Sequence, residues 1–453
     1  MCVNCQKYIS IDNYKMKPYK HIDRPIKIQK AKSYVMSPTK VAKHSFLPFI
    51  SYVLSDEKWT GIPNKELEGR PIKIKERQIM YAGHFDSYIY KYYSQLLNCK
   101  YTDYLKQNNL DRVATAYRNN KSGKSNINFA AEVINFIKQE SEAWIYVGDF
   151  EKYFDTLDHE LLKTRLKTTL DTSYLSDDWY NIFKSLTKFG YYNREALDNY
   201  QNTQQEAFNG QEKRYFYSLK EFRTYQKFNK CSYNKQSFGI PQGTSISPVL
   251  ANIYAIDFDQ SMQEIAAKYN GIYRRYSDDF ILVLPKLRSD YDQERVIKII
   301  EQEAKINKIK INSDKSQKYY FINNDLLKLD PNSMNTKGHL DYLGFIFDGK
   351  NVRMRNKSVQ KFYRKAKRTI GYAKWVKYDK NLKKLPYRKV IYNLYTDMGL
   401  NYKTYGNFIN YTKRAQRIFD ANSPNTNNLM MQQLSNRKKK IEKYLGYKIH
   451  IKL

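Results

Sequence analysis

"RRYSDDFILVLP", residues 274–285, sets two adjacent carboxylates, Asp278 and Asp279, between a basic strand and an apolar one. The pattern reads as a strand-turn-strand. Neighbouring aspartates repel each other and destabilise the fold unless a cation sits on them. Aspartate is common in turns, so the pair alone would read as a solvated hairpin tip. A third carboxylate changes that reading. Asp149 closes "AWIYVGDF" (143–150), a short apolar run of the kind that forms a buried strand, and a charge ending such a strand is rarely idle. A strand-end aspartate and a hairpin pair, separated by a loop and a helix, are what a two-metal site requires. Oxygen ligands suit Mg²⁺, and two such ions about 3.5–4 Å apart serve the attacking and leaving oxygens of a displacement.

The bulk properties point the same way. The chain has 453 residues, too many for one compact core, so two or three structural units are expected. Its 79 Lys and Arg against 45 Asp and Glu leave a net charge of +34, which points to a polyanionic partner, most simply nucleic acid. A bias toward AT-rich codons also supplies lysine and tyrosine, but codon bias does not cluster charge. Four cysteines (Cys2, Cys5, Cys99, Cys231) make no disulfide framework, which suits a reducing cytoplasm. Cys2 and Cys5 have CxxC spacing without a second Cys/His pair, so ordinary thiols are expected rather than zinc. No signal-peptide pattern and no apolar run of about 18 residues occurs, so no membrane partner is expected.

Along the chain, residues 1–75 are basic and broken by prolines, and read as an extended or loosely structured arm. Residues 77–97 carry apolar residues at helical spacing, and 190–236, rich in Asn, Gln and Tyr, read as a polar insertion or mobile connection. "SFGIPQGTSISPVLANIY" (237–254) runs from a loop into a helix, with Ser247 as N-cap and Pro248 at the first helical position. Asp348-Gly349 is a hairpin-turn signal. From about 357 the pattern is helical and basic, with Lys361, Arg364, Lys365, Lys367 and Arg368 around an apolar stripe of Val359, Phe362, Tyr363, Ala366 and Ile370. The order of elements gives an α+β protein with an all-α C-terminal unit.

With these residues in view, the sequence resembles the reverse transcriptases. "VGDFEKYFDTLDH" is similar to the family's motif A, "FGIPQGTSISPVLANIY" to motif B and "YSDD" to the YxDD of motif C, while "INSDKS" and "YLGF" resemble motifs D and E. The segments stand in the family's order and the resemblance covers residues 75–360. It implies a right-hand polymerase: a basic arm (1–75), fingers (76–142), a palm (143–350, with the insertion 190–236) and a helical, basic thumb (351–453).

The resemblance also implies roles. Asp149, Asp278 and Asp279 would be the ligands of two Mg²⁺ ions and, with Lys315 in "SDKS" as a proton donor to the leaving pyrophosphate, the catalytic set. Phe154 matches the steric-gate position that excludes a 2′-hydroxyl, and a core phenylalanine is compatible with that. Gln242 and Gly243 would line the incoming nucleotide, and Arg118 and Lys124 in "YRNNKSGKSN" would grip its triphosphate. The "GKS" there is no P-loop, because the required first glycine is Arg118. Lys361, Arg364, Lys365 and Arg368 would track the template–primer backbone.

Retron-type elements and integrase, RNase H or nuclease segments are missing, and about 100 residues follow motif E. Of the remaining classes, the chain resembles the bacterial defence-associated reverse transcriptases, related to abortive-infection and "unknown group" enzymes, through "HFDSYIYKYY…AYR…KSN" in place of the usual fingers motifs. The implied activity is RNA-directed DNA synthesis from dNTPs, on a noncoding RNA template, in antiphage defence; homo-oligomerisation is left open. The alternatives are template-independent, protein-primed DNA synthesis, for which the 43 tyrosines offer hydroxyls, and a group II intron-like maturase acting as an RNA-binding protein. Phe154 disfavours RNA synthesis.

Overall fold

The computed structural model describes the chain except for residues 1–8, 10, 13, 15–17, 64–66, 204–212, 330–335, 402, 404–405, 423–427 and 450–453. Cys2 and Cys5 therefore lie outside the described residues. The strands, in order, are β1 (Phe49–Trp59), β2 (Ile72–Tyr81), β3 (Glu142–Asp149), β4 (Gly190–Asn193), β5 (Ser232–Tyr233), β6 (Ile272–Tyr276), β7 (Asp279–Pro285), β8 (Gln317–Ile322), β9 (Asp325–Leu329), β10 (Thr336–Lys337), β11 (Leu340–Tyr342), β12 (Phe345–Phe347) and β13 (Val352–Met354).

The palm is the sheet β10-β9-β8-β3-β7-β6, with the β3 run "EAWIYVGD" at its middle. Successive side chains of a strand point to opposite faces, and both faces here are covered. Ala143 and Ile145 pack against Ile127, Ile134 and Ile137 of the helix Asn126–Gln139. Trp144 and Tyr146 belong to the opposite core, with Phe258 and Met262 of the helix Ile256–Lys268 and Val296 and Ile300 of the helix Asp290–Ile306. That is why the run is continuously apolar rather than alternating. Gly148 faces Phe280 across the β3–β7 ladder, and a Cβ there would collide with the phenyl ring.

The fingers differ from the expectation of a loose arm. β1 and β2 form a long antiparallel hairpin, preceded by the helices Ile28–Val35 and Pro38–Ala42. The "IKIK" start of β2 alternates at period two, so residues 77–81 are strand and the long helix runs His84–Gln107. The hairpin also crosses the expected arm–fingers boundary at 75/76. The described residues of the polar insertion are folded too: β4 and β5 extend the hairpin sheet to β2-β1-β4-β5, and the helices Arg194–Thr203 and Leu219–Phe228 pack beside it. Tyr192, Leu197, Tyr215, Phe216, Phe222 and Tyr225 close a small core there with Ile22 and Ile50. Aromatics scattered among Asn and Gln hid this core from the composition.

After the palm, β11-β12-β13 form a small sheet whose 348–351 turn is the expected one: the Asp348 carboxylate accepts from the Lys350 and Asn351 N–H groups at 3.0 and 2.7 Å. The helical thumb opens with Asn356–Asp379, which buries Val359, Phe362, Tyr363, Ala366 and Ile370, as its stripe required. Cys231 is a free thiol and Cys99 is disulfide-bonded. No helix among the described residues is long and apolar enough to cross a membrane.

Candidate active site

The hairpin β6–β7 turns through Ser277 and Asp278, and its register sets Tyr276 opposite Asp279 on one side and Asp149 opposite Asp279 on the other. Asp149 and Asp279 thus meet because the ends of β3 and β7 are neighbours, with Asp278 on the adjoining turn. Ser277 has φ 64°, the left-handed region that favours glycine, and two bonds hold the turn there. Arg275 Nη1 donates to the Ser277 carbonyl at 2.9 Å, and the Phe150 N–H donates to the Asp278 carbonyl at 2.9 Å. Arg275 is itself fully buried and gripped by Asp259 (0% exposed) through Nε and Nη2 at 2.7 and 2.6 Å.

The carboxylates feel each other. Asp279, although exposed at its rim, is pushed up to about 7, first by loss of water around its carboxyl and then by the charges of Asp278 and Asp149. Asp149 is buried and pairs with Lys315, whose ammonium meets Oδ1. The motif D loop that carries Lys315 is tied to β3 by the Asn312 N–H, which donates to the Asp149 carbonyl at 2.8 Å. Asp278 and Asp279 have no ion pair among the described residues. In this arrangement no three acidic, His or Cys side chains among those residues are close enough to hold a metal ion. The donor chemistry nonetheless fits a hard divalent cation: three carboxylates, an excess of negative charge, and a lysine ammonium standing where positive charge is needed.

The motif B loop packs against Phe154 and β2. The Ile240 N–H donates to the Phe154 carbonyl at 2.9 Å, so the half-buried Phe154 lies beside the "IPQG" loop. The Gln242 carbonyl accepts from the Met80 N–H of β2 at 2.8 Å. Gly243, at φ +135°, passes so near the Met80 carbonyl that a Cβ would collide with it. Ser247 is the first helical residue rather than the cap, and its hydroxyl donates to the Pro241 carbonyl at 2.7 Å, folding the loop back on itself.

Arg118 runs against its expected role. Its side chain is fully buried, donating to Asp111 at 2.6 Å and to the Ala114 carbonyl at 3.0 Å, so its guanidinium is already engaged although the residue borders the cavity that Lys124 lines. Burial works against ionising Asp111, but Lys121, Arg118 and Asn120 outweigh it and hold the carboxyl at about 2. Lys124 is exposed and lines a cavity of about 350 Å³ with Ser245, Pro248, Tyr117 and Tyr276. Lys361, Arg364, Lys365 and Arg368 are all exposed on the thumb helix.

Two residues escaped the sequence reading, Lys75 near the carboxylates and Tyr117 at the cavity that Lys124 lines. Lys75 of β2 lies within the field of Asp149 and Asp278; loss of water lowers its pKa, as do Arg77 and Lys315, while the two aspartates oppose them. The alternation of "IKIK" was the signal that could have placed it. Tyr117 is 48% exposed at the cavity beside Tyr276, with a backbone φ of 58° that nothing in the sequence announces.

Palm carboxylates beneath a basic fingers hairpin, with a helical thumb following, define a right-hand nucleic-acid polymerase. More narrowly, residues 87–347 match the family described as reverse transcriptase (RNA-dependent DNA polymerase), and the chain belongs to that family. No curated protein matches the sequence. Similar solved structures include apo telomerase from Candida tropicalis truncated from its C-terminal domain, 12% identical over 72% of this chain and 59% of that one, TM-score 0.41. Telomerase from Candida albicans in complex with the TWJ fragment of telomeric RNA is 13% identical over 92% and 66%, TM-score 0.42. Full apo telomerase from Candida tropicalis is 11% identical over 92% and 70%, TM-score 0.43. This chain thus spans less than two thirds of the first two of these chains.

Proposed function

We propose that this chain is an RNA-directed DNA polymerase that copies an RNA template into cDNA from dNTPs. The observation that carries this reading is the pairing of Asp149 with Asp279 across β3–β7, with Asp278 on the adjoining turn. Asp149, Asp278 and Asp279 would hold two Mg²⁺ ions, Lys315 giving up its place on Asp149. Bound there, such ions would supply Lewis-acid stabilisation for the attacking 3′-oxygen and the leaving pyrophosphate. Lys315 then has an ammonium proton to give the leaving group, and Lys75 of β2, in the field of Asp149 and Asp278, would supply positive charge to the triphosphate. Phe154 and the Gln242–Gly243 turn border the sugar and base of the incoming nucleotide, where the phenyl ring excludes a 2′-hydroxyl.

The motif pattern supports a finer reading: a bacterial, defence-associated enzyme working in the cytoplasm on a dedicated noncoding RNA. A second reading, protein-primed untemplated synthesis, draws support from Tyr117, an exposed hydroxyl at the cavity that Tyr276 also lines.

The test is Asp278→Asn. Incorporation should vanish while RNA binding stays within about twofold, because affinity comes from phosphate contacts spread over many lysines and arginines. Mg²⁺-dependent synthesis by the folded variant would refute the assignment, and a product whose 5′ end is bonded to Tyr117, lost in Tyr117→Phe, would favour the second reading.

A further inference from the structure

The thumb helix Asn356–Asp379 hides one face and leaves a different one unexplained. Its buried side ends in Ile370, Ala373 and Val376. Tyr372, Trp375 and Tyr378 stand off it, 55%, 57% and 88% exposed, and Tyr387 of the following segment is 51% exposed. Scattered surface aromatics need no special reason, but these are grouped. Tyr372 stacks on Trp375 with centroids 5.9 Å apart and planes 29° from parallel, and on Tyr387 at 6.1 Å and 18°. Tyr372 thus lies roughly parallel to each of its two ring neighbours, and all three rings face water.

The charge around them is one-sided. Residues 356–389 hold thirteen Lys and Arg against a single acid, Asp379. Lys374, Lys377, Lys380, Lys383 and Lys384 are exposed and make no ion pair among the described residues. A protein partner would be met by rings or by charge in many combinations. Rings interleaved with uncompensated lysines match a strand that carries a flat base and a phosphate on every residue.

We propose that Tyr372, Trp375, Tyr378 and Tyr387 form a stacking platform for single-stranded RNA, with the surrounding lysines on its phosphates. Duplex bases are stacked on one another and show only edges, so the rings can take unpaired bases alone. The choice of RNA over DNA rests on the function proposed above, in which the unpaired strand approaching the enzyme is an RNA template. This face is distinct from the Lys361–Arg368 half of the helix, whose cations lack the rings.

The test measures binding of a labelled 20-nucleotide RNA to the full chain, single-stranded and annealed to its complement, with single-stranded DNA as a further probe. The triple variant Tyr372→Ala/Trp375→Ala/Tyr378→Ala alters only exposed side chains. It should bind single-stranded RNA at least about tenfold more weakly, from about 1–3 kcal/mol per stacked base, and duplex within about twofold. Its slope of log affinity against log salt should be unchanged, since every lysine stays in place, whereas Lys374→Gln/Lys377→Gln/Lys380→Gln should flatten that slope. Phenylalanine at all three ring positions should restore affinity. Wild-type affinity in the alanine variant, or an equal loss for duplex, overturns the proposal, as does a loss seen with single-stranded DNA only. A dimer that the alanine changes dissolve, with RNA affinity intact, would give the face to a second copy and overturn it too. Primer extension on an RNA template separates the two claims: synthesis by the wild type with no ring effect sinks the platform alone, and a ring effect without synthesis sinks the polymerase reading alone.

Discussion

Removing the carboxylate of Asp259 should damage the palm more than any surface change, although Asp259 touches none of the three active-site aspartates. Asp259 and Arg275 are both fully buried, and Arg275 donates to it through two nitrogens at 2.7 and 2.6 Å. The Tyr273 hydroxyl also donates to Asp259 at 2.9 Å. Asp259→Ala strands the guanidinium away from water, a loss of about 3–5 kcal/mol for one half of a buried pair. At about 2–4 °C per kcal/mol for a unit of 150–250 residues, melting should fall by about 6–20 °C. The double variant Asp259→Leu/Arg275→Met removes both charges and should recover most of that loss, because replacing a whole buried pair by apolar groups is close to neutral. Activity should not follow. Arg275 also holds the Ser277 carbonyl at 2.9 Å, so the double variant frees the turn that presents Asp278. Its kcat in primer extension should drop about tenfold or more while its Tm approaches wild type. Additive losses of stability in the double variant would refute the coupling, and a stable double variant with full kcat would refute the positioning role of Arg275.

Phe154→Val should raise incorporation of ribonucleotides relative to deoxynucleotides in steady-state kinetics with little change in melting; unchanged discrimination would return the residue to a packing role. Neutralising Lys361, Arg364, Lys365 and Arg368 together should flatten the salt dependence of template–primer affinity by about 0.7–0.9 for each phosphate no longer neutralised and shorten products, and an identical slope and product length would remove this face from the substrate path. Gly243→Ala should raise KM for dNTPs at least about tenfold, because the new methyl must push the motif B loop off the Met80 carbonyl, and wild-type kinetics would show that the loop has slack.

The candidate carboxylates stood out in the sequence where chemistry constrains residue type. Asp149, Asp278 and Asp279 could be read because charge beside apolar strands is unusual, and the register that joins them follows from the strands themselves. Arg118 could not be, because a guanidinium that grips a phosphate and one that grips Asp111 look the same in a sequence. Lys75 was hidden because its meaning depends on where the β1–β2 hairpin lies relative to β3, a long-range placement. The 190–236 segment was misread for another reason: tyrosine and phenylalanine can build a core at a density that composition scores as polar.

Gly148 and Phe280 have a consequence for how the chain finds its active form. A slip of one residue between β3 and β7 would set Asp149 against a different partner and turn every side chain of one strand to the wrong face. It would also bring the Phe280 ring opposite Val147 or Asp149, neither of which leaves the space that Gly148 does. The ring and the glycine act as a gauge on strand alignment one step from the carboxylates, so a misthreaded palm is rejected on steric grounds before it can assemble a defective centre.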